Sequence, residues 1–376
     1  MSITAYLWAS TLYQPEAGGH RWAYMNWALG LRSCGLKVMW LESVDGSRPA
    51  EELWSLLDSL RHHLEPYGFS ESLALYPSGD DRLPKQSISD VDNIVEGDIL
   101  IDFAYGDCSF TSPERQAQVI KRFRSSALID IDPGLTQLWM QSGGMKIAPH
   151  DFYLTIGETI DRGLPYCGLE WLYIPPCVAL EWWPVTQTPV DSPFTTVTNW
   201  WGEWMSENGV AYDNSKRAGF LPYLDLPKLT NISFELALPA GTNESELRNL
   251  VEHGWSVLSA QEVVSTPWDY QRYIQSARGE FSCAKPLYRR LQNAWISDRT
   301  LCYLATGRPA VVQHTGESHV LPEAEGLCRF KNLPGAITAL RAVESNYDHH
   351  SRAARALAEE FFDAKKVASK LLEYVV

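Results

Sequence analysis

Apolar and polar positions follow two different periods in the first 160 residues. Short apolar runs, typical of buried strands, occur at 3–10, 36–43, 97–105, 127–134 and 151–158. Between them, apolar residues recur with the spacing of a helix at 18–35, 49–68 and 112–126. Strands that alternate with helices favour a parallel sheet covered by helices on both faces.

The same alternation resumes after a proline-rich segment at 174–194, which is the best candidate for a linker. Strands are predicted at 194–202, 232–240, 255–260, 280–285 and 309–315. Helices are predicted at 216–230, 243–254, 266–279, 297–307 and 347–376, the last with a break near Phe362. We therefore expect an α/β protein with two Rossmann-like, doubly wound domains, at 1–185 and 186–345, that face a central cleft.

Composition narrows the function. The chain has 376 residues, a net charge of −14 and no long basic run, which argues against a nucleic-acid partner. Seven cysteines without a CxxC pair indicate a reducing cytosol. The first ten residues lack the basic start of a signal peptide, and no stretch reaches the roughly 18 apolar residues of a membrane span. A cytoplasmic protein is expected.

The glycine loop PEAGGHRW, between the first strand and the first helix, is the first candidate site. Gly18 and Gly19 allow close approach of a ligand to the backbone, and His20 has the pKa of a general base at neutral pH. The loop lacks GxGxxG, which weakens a dehydrogenase interpretation. Gly18, Gly19, Trp22 and Tyr105 are predicted to bind the molecule that receives a transferred group, the acceptor. His20 and Asp107 are the predicted catalytic residues.

A metal site is not predicted. Asp130 and Asp132 alternate on one strand and point the same way, but no further carboxylate or histidine clearly joins them. The sequence Asp132-Pro133-Gly134 is ordinary turn chemistry. We expect neither a metal nor a cofactor.

A second candidate site lies at 279–317. Arg299 falls in the first turn of a predicted helix, where the macrodipole disfavours a cation unless it serves a purpose such as holding an anion. The turn at Thr315 and Gly316 offers a hydroxyl and bare amides. These features predict a pyrophosphate and sugar site. Its predicted residues are Asn199, Trp200, Trp201, Lys285, Ser297, Asp298, Arg299, Thr315, Gly316 and Glu317.

Four motifs resemble a bacterial group of GT-B glycosyltransferases: GGHRWAYMNWALGL (18–31), IDIDPG (129–134), WISDRTLCYLATGRPAVVQHTG (295–316) and RAARALAEEFFD (352–363). The resemblance implies a Leloir-type hexosyltransferase (EC 2.4) that needs no bound metal. It places a nucleotide-diphosphate sugar in the C-terminal domain and an acceptor in the N-terminal domain. It also implies that the C-terminal helices, at 346–376, cross back to the first domain.

Some features leave the reaction open. The paired glutamates of retaining GT-B families and the HCG motif of many natural-product enzymes are not evident, so retention and inversion both stand, with His20 favouring inversion. Glu317 stands where a carboxylate for the sugar or ribose is expected. The aromatic content suggests a small secondary metabolite, of nucleoside-like character, as acceptor. The alternatives are a sugar-nucleotide epimerase or hydrolase and a non-catalytic nucleotide-sugar binding protein; the oligomeric state is undetermined.

Overall fold

The computed structural model describes residues 3–77, 98–104, 112–160, 167–187, 189–207, 210–322 and 325–376. Contacts between Cα atoms divide the chain into two units. Unit 1 comprises Met1–Ala179 and Ala364–Val376, and unit 2 comprises Leu180–Asp363. Among the described residues, no helix combines the length and the apolar character that a membrane span requires.

Unit 1 is built on a parallel sheet. Its strands are β1 (Thr4–Ala9), β2 (Lys37–Val44), β3 (Leu73–Pro77), β4 (Ile99–Asp102), β5 (Ser125–Asp130), β6 (Phe152–Thr155) and β7 (Trp171–Tyr173). Its first helices are α1 (Gly18–Ser33), α2 (Ala50–Leu64), α3 (Pro113–Ile120) and α4 (Leu135–Ser142). The strand order β3-β2-β1-β4-β5-β6-β7 is that of a doubly wound sheet. Every residue of β4 and β5 is buried, as expected for strands covered on both faces.

Unit 2 repeats this plan with a six-stranded parallel sheet and a separate pair of strands. Its strands are β8 (Phe194–Val197), β9 (Trp204–Glu207), β10 (Val210–Asp213), β11 (Phe234–Leu238), β12 (Ser256–Ser259), β13 (Gly279–Ser282), β14 (Ala310–Gln313) and β15 (Leu327–Phe330). The sheet order is β12-β11-β8-β13-β14-β15, while β9 and β10 form a separate antiparallel hairpin. The two sheets establish the predicted α/β class with two doubly wound halves.

Nine helices accompany the unit 2 strands in the described residues: α5 (Lys216–Phe220), α6 (Leu226–Thr230), α7 (Glu244–Glu252), α8 (Ala260–Val263), α9 (Pro267–Ser276), α10 (Pro286–Leu291), α11 (Asp298–Ala305), α12 (Leu333–Ser345) and α13 (Tyr347–Phe361). The single helix predicted at 216–230 is wrong. A 3-10 turn at Leu221–Tyr223 separates α5 from α6, with Pro222 in that turn and Pro227 at the start of α6. Proline has no N–H to continue a helical ladder.

The last helix, α14 (Ala364–Val375), belongs to unit 1 and packs on α1. The Ala364 amide donates to the carbonyl of Val178 at 3.0 Å. At Gly30 of α1, an added Cβ would lie 2.5 Å from the carbonyl oxygen of Ala364, so only glycine allows this contact. The chain thus returns to its first unit in the final helix. The preceding α13 stays with unit 2, where His350 accepts from the amide of Gly326.

Candidate functional site

The start of α11 lies at the carboxyl ends of β13 and β14, where doubly wound sheets bind ligands. Ser297 occupies the N-cap position, but its side chain does not cap the helix. Its hydroxyl donates instead to Oδ1 of Asp298 at 3.3 Å. The first-turn amides of α11 therefore have no side-chain cap from Ser297.

Arg299 lies in that first turn and points into the protein. Its Nε donates to Oε1 of Glu280 at 2.8 Å, and Nη1 donates to the Val197 carbonyl at 2.9 Å. Nη2 donates to Oγ of Ser282 at 2.7 Å. Burial lowers the pKa of Arg299, but the charge and hydrogen bond of Glu280, together with Tyr270 and Tyr303, hold it above its ordinary value. Arg299 ties α11 to β8 and β13; its predicted contact with a diphosphate stays a prediction.

Lys216, at the start of α5, is a cation that the sequence analysis missed. Its Nζ donates to the Cys283 carbonyl at 2.6 Å, the one hydrogen bond of this amine in the part of the chain that the structure describes. Burial, with the nearby charges of Arg299 and Lys285, lowers the pKa of Lys216 to about 7. The argument that singled out Arg299, a cation in a first helical turn, applies equally to Lys216.

These side chains line one small cavity, which we call the α11 pocket. It is lined by Lys216, Ser282, Cys283, Ala284, Trp295, Ile296, Ser297, Arg299, Thr300, Val312, Gln313 and Thr315. Three predicted donor residues, Ser297, Arg299 and Thr315, therefore meet in unit 2 together with the missed Lys216. The pocket combines two cations, a helix start and an indole within a single unit.

The loop before α11 is held in a strained shape. Gln292 and Ala294 have φ values of 50° and 55°, in a backbone region that residues other than glycine rarely adopt. The Ala294 amide donates to the Thr315 carbonyl at 3.1 Å, and the Thr315 hydroxyl donates to the Trp295 carbonyl at 2.6 Å. Tyr288 stacks on Trp295 with ring centroids 4.4 Å apart. Such strain clusters at functional sites and positions Trp295 in the pocket wall.

Asp298 and Gly316 adjoin the pocket residues Ser297 and Thr315, whereas five other predicted donor residues do not line the pocket. Trp200 is 1% exposed and packs in the core, where its indole N–H donates to Glu246 at 3.3 Å. Trp201 is half exposed, with the Arg217 guanidinium 5.9 Å from its ring centroid. Asn199 is exposed, and Lys285 is the N-cap of α10. Glu317 is exposed and pairs with Lys331 at 3.7 Å. Their contacts with a donor stay predictions.

In unit 1, His20 stands in the first turn of α1. Its Nε2 lies 2.7 Å from the Ser10 carbonyl oxygen and 3.4 Å from the Tyr24 hydroxyl. A carbonyl only accepts, so the ring proton is on Nε2 and the basic nitrogen is Nδ1. Trp22 is 1% exposed and packs edge-on against Tyr67. The predicted residues Tyr105 and Asp107 lie outside the described residues.

Asp130 organises a turn. Its carboxylate accepts from Thr136 at 2.7 Å, Gln137 at 3.0 Å and Thr155 at 2.9 Å, and from the Asp132 amide at 3.0 Å. These donors occupy the oxygens that a metal would need. No group of three or more potential metal ligands occurs among the described residues.

The whole chain was compared with protein-family models, curated proteins and solved structures. No family model matches the chain, and no curated protein matches its sequence. Solved structures do match. An alpha-glucosyltransferase in complex with UDP and a 13-mer DNA containing a central A:G mismatch shares 10% identity and a TM-score of 0.62, with 99% of each chain covered.

Two further structures are similar over the same span. The pneumococcal O-GlcNAc transferase GtfA, in complex with UDP and GlcNAc, shares 10% identity with a TM-score of 0.53, covering 99% of this chain and 98% of that one. AviGT4, a glycosyltransferase involved in avilamycin A biosynthesis, shares 12% identity with a TM-score of 0.51, covering 99% and 97%. At such identities the likeness shows the fold alone, which is GT-B, as the sequence motifs had indicated.

Proposed function

We propose that the protein is a glycosyltransferase that moves a sugar from a nucleotide-diphosphate sugar to a hydroxyl of a small-molecule acceptor. The α11 pocket carries this proposal. Its buried amine beside a helix start without a side-chain cap is the arrangement expected for a diphosphate, because both the amine and the helix amides donate to phosphate oxygens. The neighbours with bound UDP support a uridine nucleotide as the first donor to test.

Protein groups take the place of a metal in this proposal. The leaving diphosphate gains negative charge as the bond to the sugar breaks, and fixed donors aimed at that charge lower the barrier. Lys216 supplies a proton-bearing amine with capacity for two more hydrogen bonds beyond its bond to Cys283. Arg299 adds charge and fixes the position of α11. No cofactor enters the reaction.

The acceptor is the less constrained half of the proposal. A DNA acceptor, as in the complex of the alpha-glucosyltransferase, fits poorly with a net charge of −14. The involvement of AviGT4 in avilamycin A biosynthesis supports a secondary metabolite instead. No disulfide joins the six cysteines of the described residues, which fits a reducing cytoplasm. We assign the acceptor to unit 1 and propose that His20 accepts the hydroxyl proton.

The test is incubation of the purified chain with UDP-, GDP- and dTDP-hexoses, followed by measurement of nucleotide release. Slow hydrolysis of one donor is expected, with loss of its binding in Lys216→Met. Conversion of the donor to an isomer without nucleotide release would instead indicate an epimerase. Tight binding without any turnover, in the presence of a broad acceptor panel, would indicate a binding protein.

A further inference from the structure

A buried guanidinium stands at the start of α1, outside the α11 pocket. Arg21 is 1% exposed. Within the described part of the chain, neither its Nε nor its Nη1 has a hydrogen-bond partner. Buried donors are rarely left unpaired, because burial without a partner costs free energy that is larger still for a charged group.

The carboxylate of Glu42 does not accept from Nε or Nη1 of Arg21. Glu42 accepts from the Thr11 amide at 3.0 Å, the Thr11 hydroxyl, the Leu12 amide at 3.3 Å and the Trp40 indole at 2.8 Å. Burial lowers the pKa of Arg21 to about 10, against the opposing charge of Glu42. Arg21 therefore remains a cation at neutral pH while the Glu42 oxygens serve other donors.

The helix start adds donors in the same place. The N-cap of α1 is Ala17, which has no capping side chain, and the first turn contains no acidic residue. Helical side chains lean towards the helix N-terminus, so Arg21 leans over the turn that contains Gly18 and Gly19. A 16-residue helix presents partial positive charge at this end. Arg21 and the first-turn amides therefore place their donors at the same end of α1.

We propose that the start of α1 is an oxyanion site, in which Arg21 and the amides of Gly18 and Gly19 hold a phosphate or carboxylate group. Both anions accept charge-assisted hydrogen bonds from a guanidinium, and bare glycine amides allow their close approach. We assign the oxyanion to the acceptor, and this assignment depends on the proposed function. The acceptor is then an anionic molecule, such as a sugar phosphate or a carboxylated metabolite.

The experiment uses inorganic phosphate as the probe. Isothermal titration calorimetry at constant ionic strength, balanced with chloride, is expected to show saturable binding to the wild-type chain. Arg21→Met should weaken that binding at least tenfold, since a charge-assisted pair is lost. Arg21→Lys should fall between the two. The matched control is Arg32→Met at the other end of α1, where Nη1 already donates to the Tyr67 carbonyl at 2.7 Å; phosphate binding should be unchanged.

Stability separates a binding role from a structural one. If Arg21 binds a ligand, Arg21→Met should unfold at the same temperature as the wild type or higher, because it removes a buried unpaired charge. A wild-type chain that binds phosphate no better than chloride would overturn the proposal, as would undiminished phosphate binding by Arg21→Met. Should Arg21→Met fail to fold, hydrogen exchange on the wild type tests whether phosphate binds at the start of α1. Phosphate must slow exchange in the first turn of α1 and leave its last turn unaffected; equal exchange rates in the first turn overturn the site.

A second arm distinguishes the source of the anion. UDP affinity should be unchanged in Arg21→Met if the oxyanion belongs to the acceptor. A parallel loss of UDP affinity would overturn that assignment and give the site to the nucleotide. Phosphate binding requires neither donor nor transfer, so failure of the proposed glycosyltransferase activity leaves this measurement intact.

Discussion

Arg299 Nε donates to Oε1 of Glu280 at 2.8 Å, and the Glu280 side chain is 0% exposed. The guanidinium also donates to the Val197 carbonyl and to the Ser282 hydroxyl. A cation in the first turn of a helix opposes the macrodipole, and this buried carboxylate compensates for it. One arginine thereby joins α11 to the ends of the two central strands of unit 2.

Arg299→Ala should destabilise the fold. It leaves Glu280 buried without a counter-charge, and breaking one side of a buried pair typically costs about 3–5 kcal/mol. Denaturant unfolding measures the loss, and the free energy of unfolding should recover in part in the double variant Arg299→Met, Glu280→Leu. A loss below about 1 kcal/mol in Arg299→Ala would show that the pair contributes little and return Arg299 to the diphosphate role.

Lys216→Met should weaken donor binding without unfolding the chain. A charge-assisted hydrogen bond to phosphate contributes about 1.5–3 kcal/mol, so the dissociation constant of the donor should rise at least tenfold. Stability should be equal or higher, because a desolvated amine is removed. The control Arg248→Met removes an exposed cation of α7 and should leave donor affinity unchanged. Equal donor affinity in both variants would move the diphosphate away from the α11 pocket.

The low pKa of Lys216 makes donor binding depend on pH. With a folded pKa of about 7, the amine is charged below neutrality and neutral above it. Donor affinity should therefore fall as the pH rises through 7, whereas Lys216→Arg should keep a flat profile because arginine stays charged. A nucleotide-diphosphate sugar is the proper probe, since it lacks the terminal phosphate that titrates near pH 6.

The same shift has a separate consequence for the ligand-free chain. Between the folded pKa of about 7 and the ordinary lysine pKa of 10.5, the unfolded state binds the extra proton. The contribution of Lys216 to the free energy of unfolding should therefore rise with pH across this window. Lys216→Met should lack that rise, and a slope identical to the wild type would place the folded pKa near its ordinary value.

Periodicity predicted most of the fold because the central strands are buried on both faces and appear as apolar runs. β1, β4 and β14 fall inside predicted strands, whereas β5 begins at Ser125, two residues before its predicted strand. The edge strands β3 and β7 were missed, since they are short and pair on one side only. The antiparallel strands β9 and β10 were missed as well, because each is only four residues long and neither forms an apolar run. Proline chemistry at 222 and 227 overrode an apolar spacing that resembled one helix.

The site was predicted in its location more than in its contacts. A cation in a first helical turn pointed to Arg299, yet the chain satisfies that cation with Glu280, which is distant in sequence and carries no local signal. Lys216 gives the same signal, because it is the first residue of the helix predicted at 216–230, but the sequence analysis did not apply the argument to it. Trp200 was grouped with Trp201 by adjacency, whereas the turn after β8 sends one indole into the core and the other to the surface.

Gly316→Ala should disrupt the α11 pocket. Gly316 has a φ of 136°, and an added Cβ would lie 2.4 Å from the Gln292 carbonyl oxygen, so the loop that carries Trp295 must move. Gly241→Ala is the matched control, because its φ of 83° is also left-handed but nothing lies within 4 Å of the added Cβ. The control should lose only about 1 kcal/mol of stability. Gly316→Ala should lose clearly more and also weaken donor binding; equal losses would mean that the loop adapts freely.

His20 is the proposed general base, and its geometry fixes which nitrogen acts. Because Nε2–H donates to the Ser10 carbonyl at 2.7 Å, Nδ1 is the nitrogen that would receive the acceptor proton. Removing a positioned base typically costs about a hundred- to ten-thousandfold in rate. His20→Ala should lower turnover by that extent while donor affinity, assigned to unit 2, stays within about twofold. Turnover and donor affinity must be measured on the same purified protein.

Two variants test this assignment of the base. Tyr24→Phe removes a hydroxyl that lies 3.4 Å from Nε2, too far for a strong hydrogen bond, and should reduce turnover far less than His20→Ala. Asp107→Asn should show an intermediate loss if Asp107 orients the acceptor or the base. Near-normal turnover in His20→Ala would reduce His20 to a structural residue of the α1 start and transfer the role of base to Asp107. That result would also favour a retaining reaction, in which the base need not stand on the acceptor side, and stereochemical analysis of the product would then decide between the two mechanisms.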